Sequence, residues 1–115
     1  MHEYSIVQAL IERVAREVTA RPGSIARRLN VRVGELAGVN ADLLQTAFET
    51  FREATACAQA ELVITRIAVR WECPRCAGRI PTGDVLRCST CGVPARLAAG
   101  SEMHLDQIEM DVPDV

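Results

Sequence analysis

Cys73-Pro74-Arg75-Cys76 and Cys88-Ser89-Thr90-Cys91 decide how this chain must be read. Two C-x-x-C pairs separated by one short loop can present four thiolates to a single ion at tetrahedral angles. Soft thiolates in that geometry select Zn²⁺ or iron over hard cations. Gly78 and Gly92 follow the pairs and supply the left-handed backbone that such turns need. Pro81-Thr82-Gly83-Asp84 has the composition of a hairpin tip between them. The spacing predicts two knuckles on a small β-hairpin, a zinc ribbon.

Four cysteines fill the tetrahedron and leave no position open for a substrate, so the metal is expected to be structural. The stretch also needs it. Residues 70–97 hold only Trp71, Ile80, Val85, Leu86, Val93 and Leu97 as sizeable apolar groups. Pieces below ~40 residues rarely fold without a metal or a bridge, and a structural zinc supplies ~10–16 kcal/mol. Disulfides are the other use of such pairs. No signal peptide is recognisable, so a reducing compartment, the cytoplasm, is expected, with free thiols. A redox pair would want a βαβ context that the flanks do not supply.

Outward from the ribbon, the chain has 115 residues, room for one domain with a small insert. Aromatic residues make up 3% against 49% hydrophobic, so the core must be aliphatic. The formal charge of −2 argues against a nucleic-acid grip over the whole surface. No apolar run approaches the length of a membrane span. All 13 basic residues are arginine.

Ser5 to Gln8 has the form of a capping box, and Ile6, Val7, Leu10, Ile11, Val14 and Val18 recur at helical spacing. These predict a helix over about 5–20, stopped by Pro22-Gly23, with Met1 to Tyr4 as a lead. Leu29, Val31 and Val33 alternate with polar residues and predict a strand buried on one face. Asn40 is a plausible N-cap for a second helix, with Val39 and Leu44 placed as a hydrophobic staple. Leu43, Leu44, Ala47, Phe48 and Phe51 form its stripe. A long strand is expected over 62–71, entering the ribbon. A last strand is expected from Met103 to Val112, with a bulge where the phase changes at Asp106-Gln107. That strand should return to the first core, with the two ends of the ribbon adjacent in the sheet. The fold class is therefore α+β: a small mixed β-sheet with two helices and an inserted four-cysteine zinc-ribbon domain. Residues 1–69 and 98–115 form the α/β domain and 70–97 the ribbon.

The lead has a chemistry of its own. Histidine at position two is too large for efficient removal of the initiator methionine, so Met1 should keep its amine. That amine, the backbone nitrogen of His2 and its imidazole can form fused chelate rings suited to Ni²⁺ or Cu²⁺, and Glu3 adds a carboxylate. A frayed, solvated terminus is the plain alternative. Cys57, alone, reads as a small core residue. His104, between Glu102 and Asp106, reads as a surface histidine, with a metal role if its strand passes the terminus. No Walker loop, nucleophile elbow or dinucleotide fingerprint occurs, so no enzyme is expected.

Met1-His2-Glu3-Tyr4-Ser5, then Gly34-Glu35-Leu36, then Ala47-Phe48-Glu49-Thr50-Phe51, then the two C-x-x-C pairs, resemble the HypA/HybF family. These are nickel metallochaperones of [NiFe]-hydrogenase maturation. The resemblance runs through nearly the whole chain in the same order. It implies a mixed sheet with two helices and an inserted zinc domain. It implies nickel as transient cargo at Met1, His2 and Glu3, and structural zinc at Cys73, Cys76, Cys88 and Cys91. It implies delivery to the hydrogenase large-subunit precursor, with a nickel-handling GTPase as a second partner. Some relatives have aspartate where this chain has Asn40, so a ligand role is not carried to Asn40. The alternative class is a zinc-ribbon module for nucleic acid or a transcription partner. Against it, residues 70–97 carry a formal +3, reduced to +1 by a zinc tetrathiolate, and only Trp71 could stack a base.

Overall fold

The computed structural model describes residues 2–81, 83 and 85–113, His2 in its backbone alone. The elements follow one another as α1 (His2–Thr19), β1 (Ile25–Gly34), α2 (Ala41–Phe51), β2 (Glu61–Ile67), β3 (Arg70–Glu72), β4 (Arg79–Ile80), β5 (Arg96–Ala99) and β6 (Met103–Asp111). They build two three-stranded sheets, β2-β1-β6 and β4-β3-β5. The molecule is long, 58 × 33 × 16 Å. Its radius of gyration of 18.5 Å exceeds the ~13 Å of a compact chain this size, because the sheets share no core.

In the first sheet β1 lies in the middle, parallel to β2 through the α2 crossover and antiparallel to β6. Its alternation places Leu29, Val31 and Val33 in the core, each no more than 3% exposed. Val7, Leu10 and Val14 of α1 and Leu44 and Phe48 of α2 complete that core. The opposite face of β1 is solvated and pairs with its neighbours: Arg28 with Glu61 and Glu109, Arg32 with Asp106. Asp106 is the residue skipped where Asn30 faces Gln107 and Val31 faces Leu105, so the bulge falls where the phase change placed it. A second irregularity skips Arg27.

Four local expectations are corrected. Helix α1 starts at His2, not at Ser5, so His2 to Tyr4 of the lead are part of the helix. Glu3 lies one turn before Val7 on the buried stripe, and its acid suits the positive end of a helix dipole. The strand expected over 62–71 breaks after Ile67. Glu35 takes over there: its N–H donates to the Ile67 carbonyl at 3.0 Å and its carboxylate accepts from the Val69 N–H at 3.1 Å. The two ends of the ribbon are not adjacent in the first sheet, because β1 stands between β2 and β6; they meet as β3 and β5 in the second. In α2 only Leu44 and Phe48 of the expected stripe are buried, while Leu43 and Phe51 are exposed. Phe51 instead meets Tyr4 of α1 edge to face, with centroids 4.6 Å apart.

Where the sheets join, Gly34-Glu35-Leu36 holds both crossing segments. Gly34 N–H donates to the Glu102 carbonyl at 2.8 Å and Leu36 N–H to the Gly100 carbonyl at 2.6 Å. Gly34 fits because it has no side chain: a Cβ would sit 2.2 Å from the Gly100 oxygen. Gly100 takes φ +109°, and its own Cβ would lie 2.8 Å from Val69 Cα.

Candidate metal centres

The ribbon forms its site by repeating one local fold. Cys73 N–H donates to the Gly78 carbonyl, and Cys88 N–H to the Val93 carbonyl. Ala77 N–H returns to the Cys73 carbonyl and Gly92 N–H to the Cys88 carbonyl, both at 2.9 Å. The fourth residue after the leading cysteine carries the left-handed backbone in each turn: Ala77 at φ 61° and Gly92 at φ 69°. The sequence placed this role on Gly78 and Gly92; the first of these is corrected to Ala77. The expected hairpin tip includes Thr82 and Asp84, which lie outside the described residues, though Gly83 has φ +97°.

The turns aim amides at sulfur. Arg75 and Cys76 N–H both reach Cys73 Sγ at 3.4 Å, and Cys91 N–H reaches Cys88 Sγ at 3.3 Å. Those bonds favour thiolate and hold the Cys73 thiol at about 6, with Cys88 lowered for the same reason. Cys91 moves the other way, to about 12, because neighbouring Cys76 and burial both oppose a further charge. Four thiols this close cannot all ionise without a cation among them. The four Sγ atoms lie within 4.8 Å of one another, with Cys76 and Cys88 at 3.9 Å. A tetrahedral ion with bonds of ~2.3 Å needs edges of ~3.8 Å, so the set closes on a metal such as zinc by a small contraction. Among the described residues this is the one such cluster of cysteine, histidine and acids.

The other site named from sequence is at the chain start. Met1 and the His2 side chain lie outside the described residues, so their ligand roles stay with sequence. The helix starts there all the same, and the first turn of a helix points N–H groups with no i−4 carbonyl off its end. Glu3 is mostly buried, and its carboxylate accepts the backbone N–H of Asn40 at 3.0 Å. Asn40 caps α2 with its own side chain, which accepts from Leu43 N–H at 3.0 Å. One carboxylate thus ties the start of α1 to the start of α2. Sequence reading missed that contact; its signal was Glu3 standing four residues before Val7 on the apolar stripe.

The remaining candidates are accounted for. His104 is exposed opposite Arg32, and the carboxylates beside it are engaged, Asp106 by Arg32 and Glu102 by the Gly100 N–H. Cys57 is buried, and desolvation pushes its thiol up to about 11. Trp71 packs half-buried against Cys73 and Ile80, and Arg96 pairs with Glu72. No described helix is long and apolar enough to cross a membrane.

The chain is similar over its whole length to known proteins. The family described as hydrogenase/urease nickel incorporation, metallochaperone, HypA matches residues 1–110. The hydrogenase maturation factor HypA of Wolinella succinogenes is 38% identical, covering 99% of this chain and 98% of the relative. That of Shewanella oneidensis is 36% identical over 96% of each. The solution structure of the nickel metallochaperone HypA from Helicobacter pylori superposes with a TM-score of 0.69 at 30% identity, covering 96% of this chain and 98% of that one. Another HypA solution structure gives 0.71 at 34%, covering 96% of each. The architecture, the four-cysteine cluster and this end-to-end similarity lead to one conclusion: the chain belongs to the HypA family of nickel-incorporation metallochaperones, which carry metal and are not enzymes.

Proposed function

We propose that this protein binds one Ni²⁺ at its N-terminus and delivers it to the [NiFe]-hydrogenase large-subunit precursor, while a structural Zn²⁺ holds the ribbon. The nickel ligands are the amine of Met1, the backbone nitrogen and imidazole of His2, and the backbone nitrogen of Glu3 to complete the set, since the Glu3 carboxylate is held by the Asn40 N–H. The observation that carries the reading is the helix start. An amide that gives up its proton to a metal becomes an anion, and the positive end of α1 stabilises an anion there. The site stands at a chain end, so few packed atoms need to move for release, as a carrier requires. Copper would bind a similar nitrogen set more tightly, so selectivity rests on availability and partners.

In the same reading the zinc stays with the ribbon, because its ligands lie inside hydrogen-bonded turns. A nickel-handling GTPase is the expected second partner, met in the cytoplasm. Titration calorimetry of the zinc-loaded protein tests the nickel site. One Ni²⁺ per chain is expected, lost in His2→Ala and in a form with residues fused ahead of Met1. Unchanged binding in His2→Ala would refute the site. Affinity should fall as pH falls, because amine, imidazole and amide protons must all be displaced.

A further inference from the structure

Strand β6 has β1 on one side, and among the described residues no strand pairs with its other edge. Among the described residues, no backbone hydrogen bond of 103–111 lies outside its ladder with β1. The core face of this strand is incompletely covered as well. Met103, Leu105, Ile108 and Met110 are half-buried, where Leu29, Val31 and Val33 beside them on β1 are fully so. The gap is a groove between α1 and β6, about 370 Å³ over Leu10, Met103 and Leu105. It continues for about 210 Å³ past Ile108 and Met110. Its helical wall is basic. Arg13 and Arg21 share the single carboxylate of Glu17, at 3.3 and 2.9 Å, and exposed Arg16 has no ion-pair partner among the described residues. Asp106 borders the far end but is held by Arg32.

We propose that this groove docks an extended, acidic segment of another protein, added to β6 as a fourth strand. The edge supplies backbone donors and acceptors that an incoming strand satisfies and a helix does not. The floor asks for apolar side chains at alternate positions, and its methionines adapt to their shape. The arginine wall asks for a carboxylate above Arg16. A second copy of this chain suits the groove poorly. Pairing β6 with its two-fold mate would bring the two α1 walls together, arginine against arginine.

The test uses the zinc-loaded full chain and labelled peptides of three kinds, followed by fluorescence anisotropy. The first alternates threonine and valine and carries glutamate on the valine face. The second has lysine in place of glutamate. The third is the first methylated on alternate amides, in both phases. The acidic peptide should bind at least tenfold tighter than the lysine peptide, and one methylation phase should abolish binding. Arg16→Glu, at an exposed position, should reverse the charge preference with an unchanged circular dichroism spectrum. Hydrogen exchange should slow in residues 103–111 when the acidic peptide binds. Absent or charge-blind binding, indifference to methylation in both phases, or protection elsewhere would overturn the proposal. So would a dimeric free protein whose β6 amides are already protected, which would make the occupant a second copy.

Discussion

The two sheets are stabilised by different means. The first buries Phe48, Leu29, Leu44, Val7, Val14 and Val31 almost completely, between two helices and a sheet. The second buries Ile80 and two of its cysteines, while Trp71 and Val93 are only partly covered and Val85 is 78% exposed. A sheet of three, two and four residues cannot exclude water by itself. What replaces an apolar core is the pair of turns that point four sulfurs inward. The difference teaches that the α/β part depends on burial, whereas the ribbon has little buried apolar surface and four sulfurs gathered where a metal could replace it. Between them lies one clasp of backbone bonds at Gly34-Glu35-Leu36, which holds the two parts without merging their cores.

Cys73→Ala should separate the parts most widely. It removes a ligand from a site expected to contribute ~10–16 kcal/mol. Metal analysis should find the ion gone and amide spectra should show residues near 71–97 disordered, with the helical signal of α1 and α2 kept. A full equivalent of tetrahedrally bound zinc in that variant would break the comparison. Phe48→Ala is the converse experiment. The side chain is fully buried, and its loss should cost about 3–5 kcal/mol. Urea should unfold the helices at a lower midpoint while the ribbon retains its metal.

Gly34→Ala tests the clasp. With 2.2 Å between the new Cβ and the Gly100 oxygen, the crossing segments must move. A loss of about 1–3 kcal/mol is expected, together with a small-angle scattering profile that departs from that of the unsubstituted protein. Unchanged scattering would show that the clasp does not set the angle of the ribbon. The smallest effect is expected at Ala77, whose φ of 61° is strained for any residue with a side chain. Ala77→Gly should make the first knuckle resemble the second and slow metal loss to a chelator. The gain is at most about 1 kcal/mol, since glycine also loosens the unfolded chain.

What could be read beforehand tracks how local its cause is. The cap at Asn40 was legible because a cap is made within four residues. So was the bulge at Asp106, because a lost alternation records it. The four-cysteine cluster was legible because metal geometry dictates its spacing. Leu43 and Phe51 were misplaced since a stripe of apolar residues does not say where the sheet beneath it ends. Ser5 looked like a cap because a capping box is judged without its surroundings. Glu3 extends the helix past it through Asn40, 37 residues away.

The sequence alone therefore determined the parts and their chemistry: two amphipathic helices, the alternating strands and a set of four cysteines that could hold one ion. Periodicity and ligand spacing are properties of the chain itself, so they need no partner to be read. The tertiary structure decided how those parts are joined. It placed β1 between β2 and β6, broke the long strand after Ile67 where Glu35 binds, seated Gly34 against Gly100 and left one edge of β6 with no strand partner among the described residues. Each of these depends on backbone groups far apart in sequence finding one another, and a hydrogen bond between distant amides and carbonyls leaves little trace in the order of side chains.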